Sequence, residues 1–169
     1  MTTPHPIIAV YPGSFDPVTL GHEDIVRRTL RFCDRLVVAV AGTSTQSKTP
    51  LFTVAERLEI MREVFKDDDR VECVSFSGLL VELAQSVGAR FIIRGLRAVS
   101  DFEYEFQMAQ MNRELWEDQE TLFLTPDLDY SFLSASLVRE VAALGGDVSR
   151  FVSPTVHERL KGRFSQISQ

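Results

Sequence analysis

The stretch Ile7-Ile8-Ala9-Val10-Tyr11-Pro12-Gly13-Ser14-Phe15-Asp16-Pro17-Val18-Thr19-Leu20-Gly21-His22 decides how this 169-residue chain is read. Its first five residues are apolar and suit a buried strand. Pro12 to Pro17 supply turn chemistry, and Thr19-Leu20-Gly21-His22 opens an amphipathic helix. A strand, a Gly/Pro-rich turn and a helix N-terminus together build an anion site, because free backbone N–H groups and the helix dipole converge there. A histidine in that first helical turn can reach a bound phosphate through a ring N–H. The pairing points to nucleotide chemistry.

The same alternation continues along the chain. Short β-rich runs are predicted at Ile7–Tyr11, Leu36–Ala41, Val71–Ser75, Phe91–Arg94 and Thr121–Leu124. Helical spacing falls between them, at His22–Phe32, Val54–Phe65, Leu79–Val87 and Asp101–Trp116. Thr53-x-x-Glu56 has the form of a capping box at the start of the second helix. Two more helices, Ser134–Leu144 and Pro154–Phe164, flank Gly145-Gly146-Asp147. Strand–helix alternation implies parallel strands with right-handed crossovers. The expected architecture is α/β: a Rossmann-like open five-stranded parallel sheet, helices on both faces and C-terminal helices. No repeat, linker or low-complexity tract divides it, so residues 1–169 read as one domain.

Composition narrows the function classes. The chain is 44% hydrophobic and 25% charged with a net charge of −6, and its pI is near 5.1. That balance argues against general nucleic-acid binding, which needs a basic face. No secretory signal and no apolar run of membrane-spanning length is expected, which makes the cytoplasm the default location. Cys33 and Cys73 read as buried free thiols. Three scattered histidines and two separated cysteines make no metal-ligand spacing, so no protein metal site is expected.

In open parallel sheets, ligands bind beyond the carboxyl ends of the strands, near the point where strand order reverses. The unusual residues fall at those places: Ser14 to His22, Lys48, Gly95-Leu96-Arg97, and Tyr130 to Ser136. Neither G-x-x-x-x-G-K-[ST] nor G-x-G-x-x-G is present, so the common phosphate loops are excluded. Phosphates would instead be held by helix N-termini and by His22, Lys48, Arg94, Arg97 and Arg139. Such a set suits a reaction in which negative charge builds on a phosphoryl centre. Arg94-Gly95-Leu96-Arg97 supports this, since arginine at the end of a buried strand needs an anionic partner. The same pair would also be satisfied by Asp101, Glu103 or Glu105. Along Asp101–Trp116, Phe102, Phe106 and Ala109 line one side while Tyr104, Met108, Met111 and Leu115 line nearly the opposite one. Two stripes imply cover on both faces, by the C-terminal helices or by another subunit. Glu105 and Asn112 share a third, polar face.

With these residues assembled, the sequence resembles bacterial phosphopantetheine adenylyltransferases, within the nucleotidyltransferase superfamily marked by a T/H-x-G-H motif. The resemblance rests on Y-P-G-S-F-D-P-V-T-L-G-H, I-R-G-L-R-A-V-S-D-F-E-Y-E, Q-M-A-Q-M-N-R and S-F-L-S-A-S-L-V-R-E-V-A, and runs from Ile7 to His157. It implies transfer of AMP from ATP, with Mg²⁺, to 4′-phosphopantetheine, giving dephospho-coenzyme A and pyrophosphate, the penultimate step of coenzyme A synthesis. It implies direct attack by the substrate phosphate with no covalent enzyme intermediate. His22 would stabilise the transition state, and Ser14 would contact both substrates. Lys48 and Arg94 would hold the phosphopantetheine phosphate, with Leu80 beside the pantetheine arm. ATP would lie against Ser14, Phe15, His22, Gly95, Leu96, Arg97, Glu105 and the run Tyr130, Ser131, Phe132, Leu133, Ser134, Ala135 and Ser136. A homohexamer inhibited by coenzyme A is implied as well.

Two features depart from the family pattern. Ala135 stands where many relatives have a serine, and the Gly42–Ser47 loop lacks the usual proline before its lysine. The rival readings are another nucleotidyltransferase, acting on nicotinamide mononucleotide or a polyol phosphate, and a non-catalytic nucleotide-binding module. A truncated aminoacyl-tRNA synthetase core does not suit so short and acidic a chain.

Overall fold

A computed structural model describes residues 5–42, 49–97 and 99–167. Five strands form one parallel sheet: β1 (Ile8–Gly13), β2 (Arg35–Ala41), β3 (Val71–Phe76), β4 (Phe91–Gly95) and β5 (Glu120–Leu124). The helices are α1 (Leu20–Thr29), α2 (Val54–Val64), α3 (Leu80–Ser86), α4 (Val99–Leu115), α5 (Ala135–Ala143) and α6 (Pro154–Ile167). A short 3-10 turn covers Leu128–Tyr130. Strand order is β3-β2-β1-β4-β5, so the direction of winding reverses at β1.

Strand residues alternate between the two faces, as a strand period of two requires. Ala9, Tyr11, Leu36, Val38 and Val40 join the larger core with Ile25, Ile60, Met61, Val156 and Leu160 from α1, α2 and α6. Val10, Val37 and Ala39 face the other way, onto Ala84 and Leu83 of α3. The capping box at Thr53 forms as expected: Glu56 N–H donates to the Thr53 hydroxyl, and the Glu56 carboxylate accepts from the Thr53 amide at 2.8 Å.

One detail of pairing opens the site. β1 is in register with β2 from Ile8 to Gly13. Its register with β4 covers only Ala9 opposite Phe91 and Val10 opposite Ile92. Beyond those residues β1 and β4 part, and a crevice opens between their carboxyl ends. It lies at the strand-order reversal, where open α/β sheets bind ligands.

α4 packs chiefly on α3 and β5. Phe102, Phe106, Tyr104, Met111 and Leu115 are all about half exposed, so both apolar stripes remain largely uncovered in the single chain. Of the two covers expected from sequence, the C-terminal helices do not supply one. No helix among the described residues is long and apolar enough to cross a membrane.

Candidate active site

The turn after β1 is built around Phe15. Its backbone lies in the left-handed region at φ 46°, which folds the ring inward to 2% exposure. The ring then lies 5.1 Å, edge to face, from the His22 imidazole. A Cβ on Gly13 would stand 2.9 Å from the tip of that ring, so a larger residue at the end of β1 would displace Phe15. The Asp16–Pro17 peptide bond is cis.

Thr19 and His22 are three residues apart, at the N-cap and the third position of α1. The Thr19 amide donates to His22 Nδ1 at 3.0 Å, and the Thr19 hydroxyl is also 3.0 Å from Nδ1. A backbone amide can only donate, so Nδ1 is an acceptor and the neutral ring carries its proton on Nε2. Burial, assisted by the charge on Arg97, lowers the His22 pKa from 6.5 to about 4. His22 is therefore a neutral imidazole, fixed in one tautomer, with a free N–H donor.

The crevice encloses about 370 Å³. Ser14, Thr19, Gly21 and His22 form one wall. Arg94, Gly95, Arg97 and Glu105 form the facing wall from β4 and α4. Tyr130, Leu133, Ser134, Ala135 and Ser136 close the end. Two helix N-termini, those of α1 and α5, thus meet in one crevice beside two guanidinium groups. The Ser134 hydroxyl caps α5 by accepting from Leu137 N–H at 3.0 Å. Ala135 needs no hydroxyl to serve here, since what a helix start offers an anion is its amides.

Arg94 satisfies both sequence readings at once. It lines the crevice, and its Nε stands 3.0 Å from a Glu105 carboxylate oxygen. Its Nη1 also reaches the Pro12 carbonyl at 3.4 Å. That Glu105 oxygen is buried and makes no hydrogen bond of good geometry, so its contact with Arg94 is chiefly ionic.

The structure does not bring every expected residue to the cleft wall. Phe15 lies behind it, propping His22. Leu96 donates its amide to Leu124 O, and Ser131 donates its hydroxyl to Leu128 O. Phe132 points outward against Phe151. Leu80 packs on the α3 side of the sheet. Lys48 lies outside the described residues. Arg139, expected from its spacing to hold phosphate, instead turns to Asp16 and bonds its carbonyl. A carboxylate 2% exposed attracts it more strongly than an open cleft can.

Sequence reading missed Tyr11, whose buried ring lines the cleft floor and whose hydroxyl burial pushes far up in pKa. It also missed Asp24, which is 2% exposed. Asp24 binds Arg27 and Arg28 of its own helix and accepts from the Asp127 amide at 3.2 Å. That contact ties α1 to the loop carrying Tyr130. A second hollow of about 630 Å³ lies between α5 and α6, lined by Asp147, His157 and Lys161, with no strand end beside it.

Among the described residues, no three His, Cys, Asp or Glu side chains are placed to hold a metal ion. Asp16 and Asp24 are engaged by N–H donors, and Glu105 lies against Arg94. The donor set of the described residues does not build a resident Mg²⁺ site.

Fold and cleft together define an open α/β protein with a crevice at its strand-order reversal, lined by the T-x-G-H histidine. Residues 10–141 match the cytidylyltransferase-like family. A phosphopantetheine adenylyltransferase of Alkalilimnicola ehrlichii is 58% identical over 94% of this chain and 91% of its own length. That of Aromatoleum aromaticum is 56% identical over 94% of this chain and 96% of its own. A Vibrio parahaemolyticus structure described as a nicotinate-nucleotide adenylyltransferase superposes with a TM-score of 0.71. It is 18% identical over 92% of this chain and 99% of its own, and so speaks for the fold alone. The chain belongs to the phosphopantetheine adenylyltransferase family.

Proposed function

We propose that this chain transfers the adenylyl group of ATP to the phosphate of 4′-phosphopantetheine by direct in-line attack, with no covalent enzyme intermediate. The products are dephospho-coenzyme A and pyrophosphate, as in the penultimate step of coenzyme A synthesis. The observation that carries this reading is the convergence of two helix N-termini, a neutral N–H donor on His22, and Arg94 with Arg97 on one crevice. That constellation stabilises phosphoryl charge and positions two anions.

The acceptor phosphate is already an anion near neutral pH and needs no general base. The cleft supports this, because Glu105 lies against Arg94 and His22 Nδ1 is engaged by Thr19. His22 Nε2–H donates to the α-phosphoryl oxygens as charge builds there. The Ser14 hydroxyl contacts both substrates from the turn. Arg94, with Lys48, holds the acceptor phosphate, and Leu80 flanks the pantetheine arm. Gly95, Arg97, Glu105, Tyr130 and Leu133 to Ser136 bind ATP, Phe15 supporting His22 from behind. Mg²⁺ offsets charge on the ATP phosphates when bound.

The uncovered stripes of α4 support a homo-oligomer, read as a hexamer, and coenzyme A, which contains the product, is the expected feedback inhibitor. We take residues 1–169 as one nucleotidyltransferase domain working in the cytoplasm. The test is pyrophosphate release from ATP with phosphopantetheine, nicotinamide mononucleotide and glycerol phosphate offered separately. Release with phosphopantetheine alone is expected. Release with another acceptor at equal kcat/KM would favour a different transferase, and none with any would favour a binding module.

A further inference from the structure

The Ser14 turn is gripped from beneath by a side chain that lines no part of the cleft. Arg57 sits on the core-facing side of α2, three and four residues before buried Ile60 and Met61, and is 4% exposed. Its Nη1 donates to the Ser14 carbonyl at 2.6 Å and to the Ala41 carbonyl at 3.4 Å. Ser14 is the first residue beyond β1, and Ala41 is the last of β2. One guanidinium therefore ties together the two strand ends beside the crevice.

A second set of contacts joins the same segments. The Asp16 carboxylate, 2% exposed, accepts from the Leu51 and Phe52 amides at 2.8 and 2.9 Å. Arg139 of α5 comes to 3.6 Å from that carboxylate. Burial lowers the pKa of the Arg57 guanidinium while Asp16 raises it. The Arg57 Nε is buried with no hydrogen-bond partner, so the fold tolerates an unsatisfied donor here. Such a cost is hard to explain by stability, because apolar packing often serves as well as a buried ion. It is readily explained by geometry. The Ser14 side chain is exposed to the cleft, and its backbone carbonyl is the group Arg57 holds.

We propose that Arg57 is a positioning residue for adenylyl transfer, acting through its grip on the Ser14 carbonyl to fix where the Ser14 hydroxyl stands. It touches no substrate. The inference rests on the reading of Ser14 as a contact to both substrates.

A double-mutant cycle on the full chain tests it, with kcat/KM for phosphopantetheine read in wild type, Arg57→Met, Ser14→Ala and the double variant. Arg57→Met is expected to lower kcat/KM about 30-fold in the wild-type background and less than about 3-fold once Ser14 is alanine. Equal losses in both backgrounds would mean general loosening of the fold and would overturn the proposal. Full activity of Ser14→Ala alone would instead remove Ser14 from the site, and the proposal with it. Should Arg57→Met lack a cooperative thermal transition, Arg57→Lys carries the same cycle. It keeps the charge but replaces the planar fork with a single donor. Its expected loss is about tenfold in wild type and none beside Ser14→Ala, with the same outcome overturning the proposal.

Discussion

His22→Ala is expected to lower kcat by about 10²- to 10³-fold, the effect of deleting one preorganised donor to a developing oxyanion. Its expected effect on ATP binding is smaller, below about tenfold, because the ground-state contacts are spread over two helix starts and several residues. The structure makes a sharper demand about protonation. With the Thr19 amide on Nδ1 and the pKa lowered to about 4, the working form is the neutral ring. Since kcat/KM reports the free enzyme, the ratio of wild type to variant should stay flat between about pH 5.5 and 8.5. A step near 6.5 would show that imidazolium, not imidazole, does the work. Equal turnover in both proteins would remove His22 from the mechanism. The same shift bears on stability. The unfolded chain binds a proton at His22 near the ordinary 6.5, the folded chain only near 4. Stability from this residue is complete above 6.5 and is lost as pH falls toward 4. The variant should lack that part of the acid sensitivity.

Arg94→Ala is expected to raise the KM for phosphopantetheine by about 30- to 100-fold, the worth of a charge-assisted contact to a phosphate. Two effects combine. The acceptor phosphate loses its cation, and Glu105, which Arg94 faces at 3.0 Å, is left as an unbalanced carboxylate in the crevice. A carboxylate beside an incoming phosphate repels it, and the lined crevice screens that repulsion less than open water does. The KM for ATP should move less than about threefold. Steady-state kinetics with each substrate varied in turn separates the two. A rise confined to the KM for ATP would place Arg94 on the nucleotide and overturn its assignment to the acceptor.

Local signals made most of the fold legible. Each predicted strand and helix forms, because apolar period and turn residues agree along most of the chain and the Thr53 capping box marks the start of α2. The main difference is at β1, predicted to end at Tyr11 because Pro12 to Pro17 read as turn residues. It continues to Gly13, since pairing with β4 has already stopped at Val10 while β2 stays in register. The site was legible where it lay on contiguous motifs, as at Thr19–His22, Arg94–Arg97 and Ser134–Ser136. It was not legible where one residue serves another across the chain. Nothing near Asp16 announces that it holds the Leu51 and Phe52 amides and draws Arg139 away from the cleft. Arg57 left one faint trace: a charged residue on the face of α2 that also carries Ile60 and Met61. A cation on an apolar stripe is the pattern to look for.

The proposed reaction is a single direct displacement at the α-phosphorus. It is tested most directly with ATP bearing sulfur stereospecifically at that phosphorus, and phosphopantetheine as acceptor. One in-line attack predicts inversion of configuration in the dephospho-coenzyme A formed. Retention would require two displacements through a covalent adenylyl-enzyme, and would contradict it.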